Sequence, residues 1–431
     1  MFFHYLFHLH QLRSNLYADR SKLRKQQCKK LRAMVRHTYE NVHFYHRKFD
    51  EAGIKPDDVR SVDDLCKLPV TTKSEIQKIP LKSLISRNAD VGSCVREMTS
   101  GSTGVPLTIV NDGAWRDFAG AVWARALLEN GLRLQDRMAI VKNPRYFQKE
   151  KGLFRLLRRK HVSVFDSIDR QMRLLEDYRP HVIKGYPQSL VLLAAAKRDE
   201  GSSVDPRLIF TGGELLDRNH RELISSGFGC EVFDCFGCVE FGLLMWECRE
   251  HAGYHMNVDG VVTEFLDNGD MVSPGERGAI TCTGLNNFAM PLIRYELDDV
   301  GIPAEDPCPC GRSLPLAEAL EGRVDDILTD VEGGVVYASS FFANLFTHWR
   351  GVRQFKVIQE RRDKLTIQLI LVEGAAVGDT VLEKAKAKIK RVFGEGMNLE
   401  FQILEKIDRD PSGKLRTVIS HVPVGLARSN G

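Results

Sequence analysis

Apolar and polar positions change rhythm three times along the chain. Over residues 8–50 apolar side chains recur at helical spacing in a polar background, which predicts a long helical lead-in. The ten residues before and into it, Met1-Phe-Phe-His-Tyr-Leu-Phe-His-Leu-His10, are apolar. They lack a basic stretch ahead and a small-residue cleavage site behind, so they read as the first turns of a helix and not as an export signal. From about 95 to 320, short β-rich runs (Met138-Ala-Ile-Val141, Val182-Ile-Lys184, Arg207-Leu-Ile-Phe210, Glu231-Val-Phe-Asp234, Gly278-Ala-Ile-Thr-Cys-Thr283) alternate with helix-like segments. That alternation predicts α/β layering. Beyond Gly322, strand-like Gln354–Gln359 and Lys364–Leu371, a helix over 379–394 and a strand over 398–404 predict a small α+β unit. The expected architecture is a large N-terminal α/β domain with a helical lead-in, residues 1–322, and a small C-terminal α+β domain, residues 323–431.

Composition adds bounds. The 431 residues are 43% hydrophobic and 27% charged, ordinary for a globular enzyme of two or three domains. No apolar run approaches the roughly 20 residues that span a bilayer, so integral membrane association is not expected and the default compartment is cytoplasmic. Ten cysteines spread between residues 28 and 310 fit a reducing compartment better than a disulfide scaffold, and close pairs are first candidates for metal ligation. The net charge of +4 is uneven: residues 1–50 hold eleven Lys or Arg against three Asp or Glu. This reads as a solvated helix face or, alternatively, a surface for an anionic partner. A second basic stretch, Lys142-Asn-Pro-Arg through Arg158-Arg159-Lys160, reads as an exposed helix, with contact to lipid or a CoA phosphate as the alternative. Neither patch accompanies a nucleic-acid reading module, so a nucleic-acid partner is not expected.

The strongest local chemical signal is Thr99-Ser-Gly-Ser-Thr-Gly-Val-Pro106 after Val95-Arg-Glu-Met98. Hydroxyls alternating with glycines let the backbone curl around phosphate oxygens while offering N–H and O–H donors together. It is not a Walker loop, because no Gly-Lys-Ser/Thr follows. The bland alternative is a flexible Ser/Gly turn.

This segment resembles the phosphate-binding loop of the adenylate-forming superfamily, which contains acyl-CoA synthetases, peptide-synthetase adenylation domains and luciferases. The resemblance implies that Thr99, Ser100, Gly101, Ser102, Thr103 and Gly104 hold ATP phosphates. Many members carry Lys where this chain has Val105, which shifts charge neutralisation toward Mg²⁺ and other basic groups. Further motifs follow in the family's order. Thr211-Gly-Gly-Glu214 resembles the segment that packs on adenine, so Gly213 and Glu214 become nucleotide-binding candidates. Asp234-Cys-Phe-Gly-Cys-Val-Glu240 resembles the aromatic-Gly-x-Thr/Ser-Glu element, which implicates Asp234, Phe236 and Gly237 in nucleotide binding and Glu240 in holding Mg²⁺. Val239 departs from the pattern, since it replaces a hydroxyl that contacts the α-phosphate. Arg294-Tyr-Glu-Leu-Asp-Asp299 resembles the Arg-Tyr-x-Thr-Gly-Asp motif, with Asp299 at the ribose position and Asp298 in place of Gly.

Gly322-Arg-Val-Asp-Asp326 resembles the linker on which the family's small lid domain pivots, with Arg323 reaching ribose or phosphate and Asp325 at the hinge. Asp408-Arg-Asp-Pro-Ser-Gly-Lys414-Leu-Arg416 resembles the lid's catalytic loop, whose ammonium bridges the carboxylate and α-phosphate as charge builds. Six motifs in one order, from 99 to 416, extend the resemblance over essentially the whole chain.

Lys184-Gly-Tyr-Pro-Gln-Ser-Leu190 and the region through Lys67-Leu-Pro-Val-Thr-Thr-Lys73 are similar to the phenylacetate–CoA ligase branch and its capsule-biosynthesis-type relatives. So is the pairing of Cys248-Arg-Glu-His251 and His255 with Cys308-Pro-Cys310. Thiolates plus imidazole suit a tetrahedral structural Zn²⁺. The resemblance favours Cys248, His255, Cys308 and Cys310 as ligands, with His251 as the alternative to His255. Cys235 and Cys238, although spaced like zinc ligands, read as core or pocket residues. The implied activity is ATP- and Mg²⁺-dependent activation of a small carboxylic acid to acyl-AMP, with Lys414 and Glu240 catalytic, followed by transfer to coenzyme A. The alternatives are transfer to an amine or hydroxyl, or a nucleotide-binding protein without catalysis. Phe228, Phe236 and Tyr186 are candidates for an aromatic acyl pocket or, equally, for core packing.

Overall fold

The computed structural model describes residues 2–99, 106–146, 158–323, 328–336, 338–347, 349, 351–372, 374, 376, 378–410 and 413–422. The helical lead-in is three helices, Phe2–Asn15, Arg20–Asn41 and His43–Glu51. In the second, Leu23, Gln27, Leu31, Met34, Val35 and Thr38 are buried along one stripe, and the Lys and Arg residues fall mostly on the other side. Asp19 caps it by accepting the Ser21 N–H. The first helix buries Tyr5, Leu9 and Leu12, with Leu16 just past its end, and packs on a helix over Gly113–Glu129. From that helix the buried Arg125 guanidinium reaches Asp259 at 2.7 Å, which also accepts from Asn15, so the lead-in is tied to the domain behind it.

That domain is organised on one twelve-stranded sheet. Five strands, Arg158–Ser163, Arg137–Lys142, Val182–Gly185, Leu208–Gly212 and Glu231–Cys238, run parallel in that spatial order. Their crossovers include helices Ile168–Tyr178, Pro187–Glu200 and Arg218–Phe228. Strands buried on both faces read as near-continuous apolar runs, which is why the sequence pattern locates them. At Glu231–Cys238 the sheet turns antiparallel through the hairpin to Gly242–Glu247. It continues through Tyr254–Met256, Leu316–Arg323, Tyr295–Pro303, Gly278–Gly284, Val261–Asp267 and Asp270–Met271.

The predicted exposed helix over 142–160 is not found among its described residues. Lys142 ends one parallel strand and Arg158–Lys160 begin the edge strand beside it. Their charges mask the β pattern because the sheet face there borders a cavity and not a dry core. Residues 147–157 lie outside the described set.

The C-terminal unit is a small α+β domain. Strands Asn398–Ile403, Lys364–Leu371, Val352–Arg361 and Val418–Ser420 form a four-stranded sheet in that order, flanked by helices Ala338–Thr347 and Asp379–Phe393. Phe342, Phe346, Val357, Ile367, Ile389 and Phe393 form its own core.

Candidate active site

The C-terminal ends of parallel strands leave unpaired backbone groups at a common edge, and the chemistry-bearing loops gather there. Strand Val95–Met98 pairs antiparallel with Thr108–Asn111. Their open end is clamped by Thr99, whose N–H donates to the Leu107 carbonyl while its Oγ1 accepts the Leu107 N–H, both at 2.9 Å. Ser100, Gly101, Ser102, Thr103, Gly104 and Val105 themselves lie outside the described residues.

Gly212 ends the parallel strand Leu208–Gly212, and Gly213 follows it directly. A side chain at Gly212 would meet the Cys235 carbonyl at 2.5 Å, and Gly213, at φ +85°, lies where a Cβ would touch the Tyr186 ring at 3.1 Å. On the far side of Gly213, 3.7 Å from the same point, is the Lys414 side-chain carbon next to its ammonium. Lys414 is shaped by its own turn: Asp410 Oδ1 accepts the Lys414 N–H at 3.0 Å, and the Asp410 N–H donates to the Lys414 carbonyl at 2.9 Å. Gly413, at φ +85°, lets this turn press on Val164 and Asn143 at the tops of the two outer parallel strands.

Two contacts dock the loop. Leu415 N–H donates to Glu214 Oε1 at 2.9 Å, and Arg409 donates to Ser189 Oγ at 2.9 Å. Glu214 Oε2 also accepts the Gln188 N–H at 3.2 Å. Burial raises the Glu214 carboxyl above its ordinary value, and the Leu415 and Gln188 donors together with Lys414 counter that rise.

The hairpin after Glu231–Cys238 carries Val239 and Glu240 at its tip. A Cβ on Gly237 would collide with the Gly242 carbonyl, so glycine is required where the two strands cross closely. Asp234 is committed to the sheet: it accepts from Thr211 Oγ1 at 2.6 Å and from the Tyr254 hydroxyl at 3.0 Å. Burial, with Glu247 nearby, lifts its pKa to about 6.

Asp298 and Asp299 lie on Tyr295–Pro303. Asp298 faces Lys73 at 3.5 Å, whereas Asp299 is the cross-strand partner of Arg323. The side chain of Arg323, and Asp325 altogether, lie outside the described residues. Arg294 of the same motif is architectural: its guanidinium holds buried Glu264 and donates to the Leu68 carbonyl at 2.6 Å.

One cavity of about 620 Å³ joins these parts, lined among others by Thr99, Gly213, Glu240, Asp299 and Lys414. Glu214, Asp234, Phe236 and Gly237 also border it. The rolled-up geometry can seat a nucleotide phosphate between a glycine-rich edge, an ammonium and a carboxylate. Of the aromatic candidates, Phe236 and Tyr186 line the cavity, while Phe228 is packed against Leu190 and Ile224 in the core.

Away from this cavity a second cluster forms. Cys248 follows Gly242–Glu247, His255 lies on the adjacent strand, and Cys308 and Cys310 sit on the loop before Leu316–Arg323. Their four ligand atoms lie within 4.8 Å of one another, with Cys248 Sγ to Cys308 Sγ at 3.6 Å and Cys310 Sγ to His255 Nε2 at 3.4 Å. Burial, with Arg312 adding to it, pushes His255 down to about 4, so its imidazole is neutral at pH 7. His251 is elsewhere, with Nδ1 3.5 Å from Glu247 and its ring stacked on Phe233.

The CapK C-terminal domain family matches residues 328–421. A phenylacetate–coenzyme A ligase of Thermus thermophilus is 27% identical over 434 residues, covering 93% of this chain and 97% of that protein. Over nearly its whole length the chain is thus similar to phenylacetate–CoA ligases, and its C-terminal part to the CapK family. Among solved structures, a 2-hydroxyisobutyryl-CoA ligase in its postadenylation state superposes with a TM-score of 0.79 at 22% identity, over 94% of this chain and 91% of that one. In its thioesterification state, with 2-HIB-AMP and CoA, that ligase gives 0.65 at 24% identity over the same shares.

Within this adenylate-forming fold, sequence reading missed two kinds of residue. Glu214 was expected at the nucleotide but also docks the loop of the small C-terminal domain, a role that only the tertiary pairing with Leu415 reveals. Lys142, Arg159 and Lys184 all line the cavity. Lys142 and Lys184 each close a β-rich run, whereas Arg159 lies in the basic stretch that reads as a helix.

Proposed function

We propose that this chain is an AMP-forming acid–thiol ligase: it activates a small carboxylic acid with Mg·ATP and transfers the acyl group to coenzyme A. The observation that carries the reading is the Lys414 side chain lying against Gly213 in a cavity shared with Glu240 and Asp299. A substrate carboxylate oxygen attacks the α-phosphorus, the bond to the bridging oxygen breaks, and pyrophosphate leaves. Lys414 meets the charge that accumulates between the carboxylate and α-phosphate, a contribution worth most in a cavity that excludes water. Glu240 supplies the hard oxygen a magnesium ion prefers, and Asp299 accepts from ribose hydroxyls, with Arg323 across the strand pair.

The lid is residues 323–431, hinged near Asp325, and the better superposition on a postadenylation arrangement supports an adenylation pose. Rotation of the lid would then free the site for the thiol. Ten cysteines without a disulfide among them agree with a reducing, cytoplasmic setting.

The Cys248, His255, Cys308 and Cys310 cluster fits structural zinc. A tetrahedral ion with Zn–S of ~2.3 Å and Zn–N of ~2.0 Å separates two sulfurs by about 3.8 Å and a sulfur from a nitrogen by about 3.5 Å. The distances found, 3.6 and 3.4 Å, agree with both. Bound there, zinc would join two neighbouring strands to the 308–310 loop.

The test is pyrophosphate and AMP release with a panel of carboxylates, with and without CoA. Acid-dependent pyrophosphate release, and AMP release that requires CoA, are expected. AMP release that requires an amine instead would redirect the second half-reaction, and no nucleotide turnover with any acid would refute the ligase reading.

A further inference from the structure

The cavity continues inward from Lys414, down one face of the parallel sheet. Register fixes what it meets. Ile140 lies opposite Lys184 on one neighbouring strand, and Met138 opposite Arg159 on the other. Side chains alternate along a strand, so Met138, Ile140 and Lys142 share one face with Lys184 and Arg159. All five line the cavity, and Trp123 from helix Gly113–Glu129 forms the opposite wall.

The result is a slot with apolar sides and cations at three depths. Lys142 is level with Gly212, at the height of Lys414, because Val141 aligns with Gly185 and Gly185 with Thr211. Lys184 is two residues deeper, about 7 Å at strand rise, and Arg159 two residues deeper again. The Lys184 ammonium lies 3.1 Å from the centroid of the Trp123 ring. Among the described residues, no carboxylate is within ion-pair distance of Lys142 or Lys184. Glu97, also on the cavity wall, is engaged by Asn111 at 2.7 Å, and Asp117 borders the slot beside Tyr5.

Buried cations without anions are costly and persist where a ligand supplies the charge. Burial first, then Lys142 and Arg159, push Lys184 down to about 7 against an opposing pull from Cys235; burial, then Arg159, push Lys142 to about 8, with Glu97 opposing. Arg159 thus disfavours the charge on both lysines, and Lys142 that on Lys184, until an anion arrives.

We propose that the acid activated here is a diacid. One carboxylate reacts beside Lys414, a flat or slender body lies between Ile140 and Trp123, and the second carboxylate is bound by Lys184, with Lys142 or Arg159 as its second donor. This rests on the ligase reading and names its substrate class.

The test is calorimetry of the full chain loaded with Mg²⁺ and a non-hydrolysable ATP analogue, titrated with phenylacetate or 4-carboxyphenylacetate. The diacid is expected to bind about tenfold or more tighter, the scale of one charge-assisted hydrogen bond. Lys184→Met should bring the two affinities within a few-fold of each other, and Lys142→Met provides the same comparison if the first variant does not fold. Equal or tighter binding of phenylacetate to the unmodified chain overturns the proposal, as does a preference that survives both substitutions. Pyrophosphate release separates the two readings. If phenylacetate turns over while the diacid neither binds nor reacts, the diacid inference fails and the ligase reading stands. If neither acid turns over but the Lys184-dependent preference remains, the anion slot stands and the ligase reading fails.

Discussion

Lys414 is oriented before any substrate arrives, by the Asp410 carboxylate at its N–H, by the Asp410 N–H at its carbonyl, and by the open face of Gly213 beside its side chain. Such preorganisation matters most where charge develops, so Lys414→Ala should lower acyl-AMP formation by about 10²-fold or more. Thioester formation from supplied acyl-AMP should fall much less; equal loss in both half-reactions would contradict the assignment. The two neighbouring aspartates can be separated in the same way. Asp298 has Lys73 as its partner, whereas Asp299 pairs in register with Arg323. Asp299→Ala should weaken binding of a non-hydrolysable ATP analogue by about tenfold or more, and Asp298→Ala should change it little, as read by calorimetry. The reverse ranking would show that the ribose carboxylate is Asp298. At this scale the sequence offered its candidates as glycine and charge at fixed offsets, and one cavity brings Thr99, Gly213, Glu240, Asp299 and Lys414 together. Asp234 illustrates the limit: its motif position gave no sign that its carboxylate is occupied by Thr211 and Tyr254.

Elements were legible where their environment was uniform. The strands Val182–Gly185 and Leu208–Gly212 are buried along almost their whole length, and their apolar runs announced them. Arg158–Ser163 is a sheet edge with a polar cavity on one face, so its alternation looked like an exposed basic helix. The antiparallel extension was mostly unread, because short strands such as Tyr254–Met256 carry too few residues for a period to show. Three separate pieces of that extension converge on the cysteine and histidine cluster, and their thiols and imidazole have already reached ligand spacing. Zinc there would convert binding energy into folding energy. Purified protein should contain close to one zinc, and Cys308→Ser should release it and lower the Tm by about 5 °C or more in a melting experiment. Metal-free protein whose Tm is unchanged by the substitution would remove the metal from the account, and His251→Ala serves as the control that should retain it.

At the scale of the whole molecule, a large sheet-built domain and a small C-terminal α+β domain were legible as a change of rhythm, since each has its own core and each core imposes its own periodicity. How the domains meet was not legible, because it depends on a few polar contacts between residues some two hundred positions apart. The principal one is Glu214, whose two oxygens accept the Leu415 N–H from the lid and the Gln188 N–H from the large domain. A carboxylate receiving an N–H from each body holds the lid in the pose that brings Lys414 to Gly213. Removing it leaves the Leu415 donor unsatisfied in that pose, while in any rotated pose that donor can reach water. The docked pose should therefore lose about 1–3 kcal/mol relative to the others. Glu214→Ala is expected to slow adenylation by about tenfold or more and to speed hydrogen exchange of the amides in 413–418 by a comparable factor. Thioester formation from supplied acyl-AMP, for which the proposed cycle rotates the C-terminal domain away, should be preserved or faster. Unchanged exchange at Leu415 alongside slowed adenylation would mean that Glu214 acts only on the nucleotide, and that the lid is held by Arg409 on Ser189 instead.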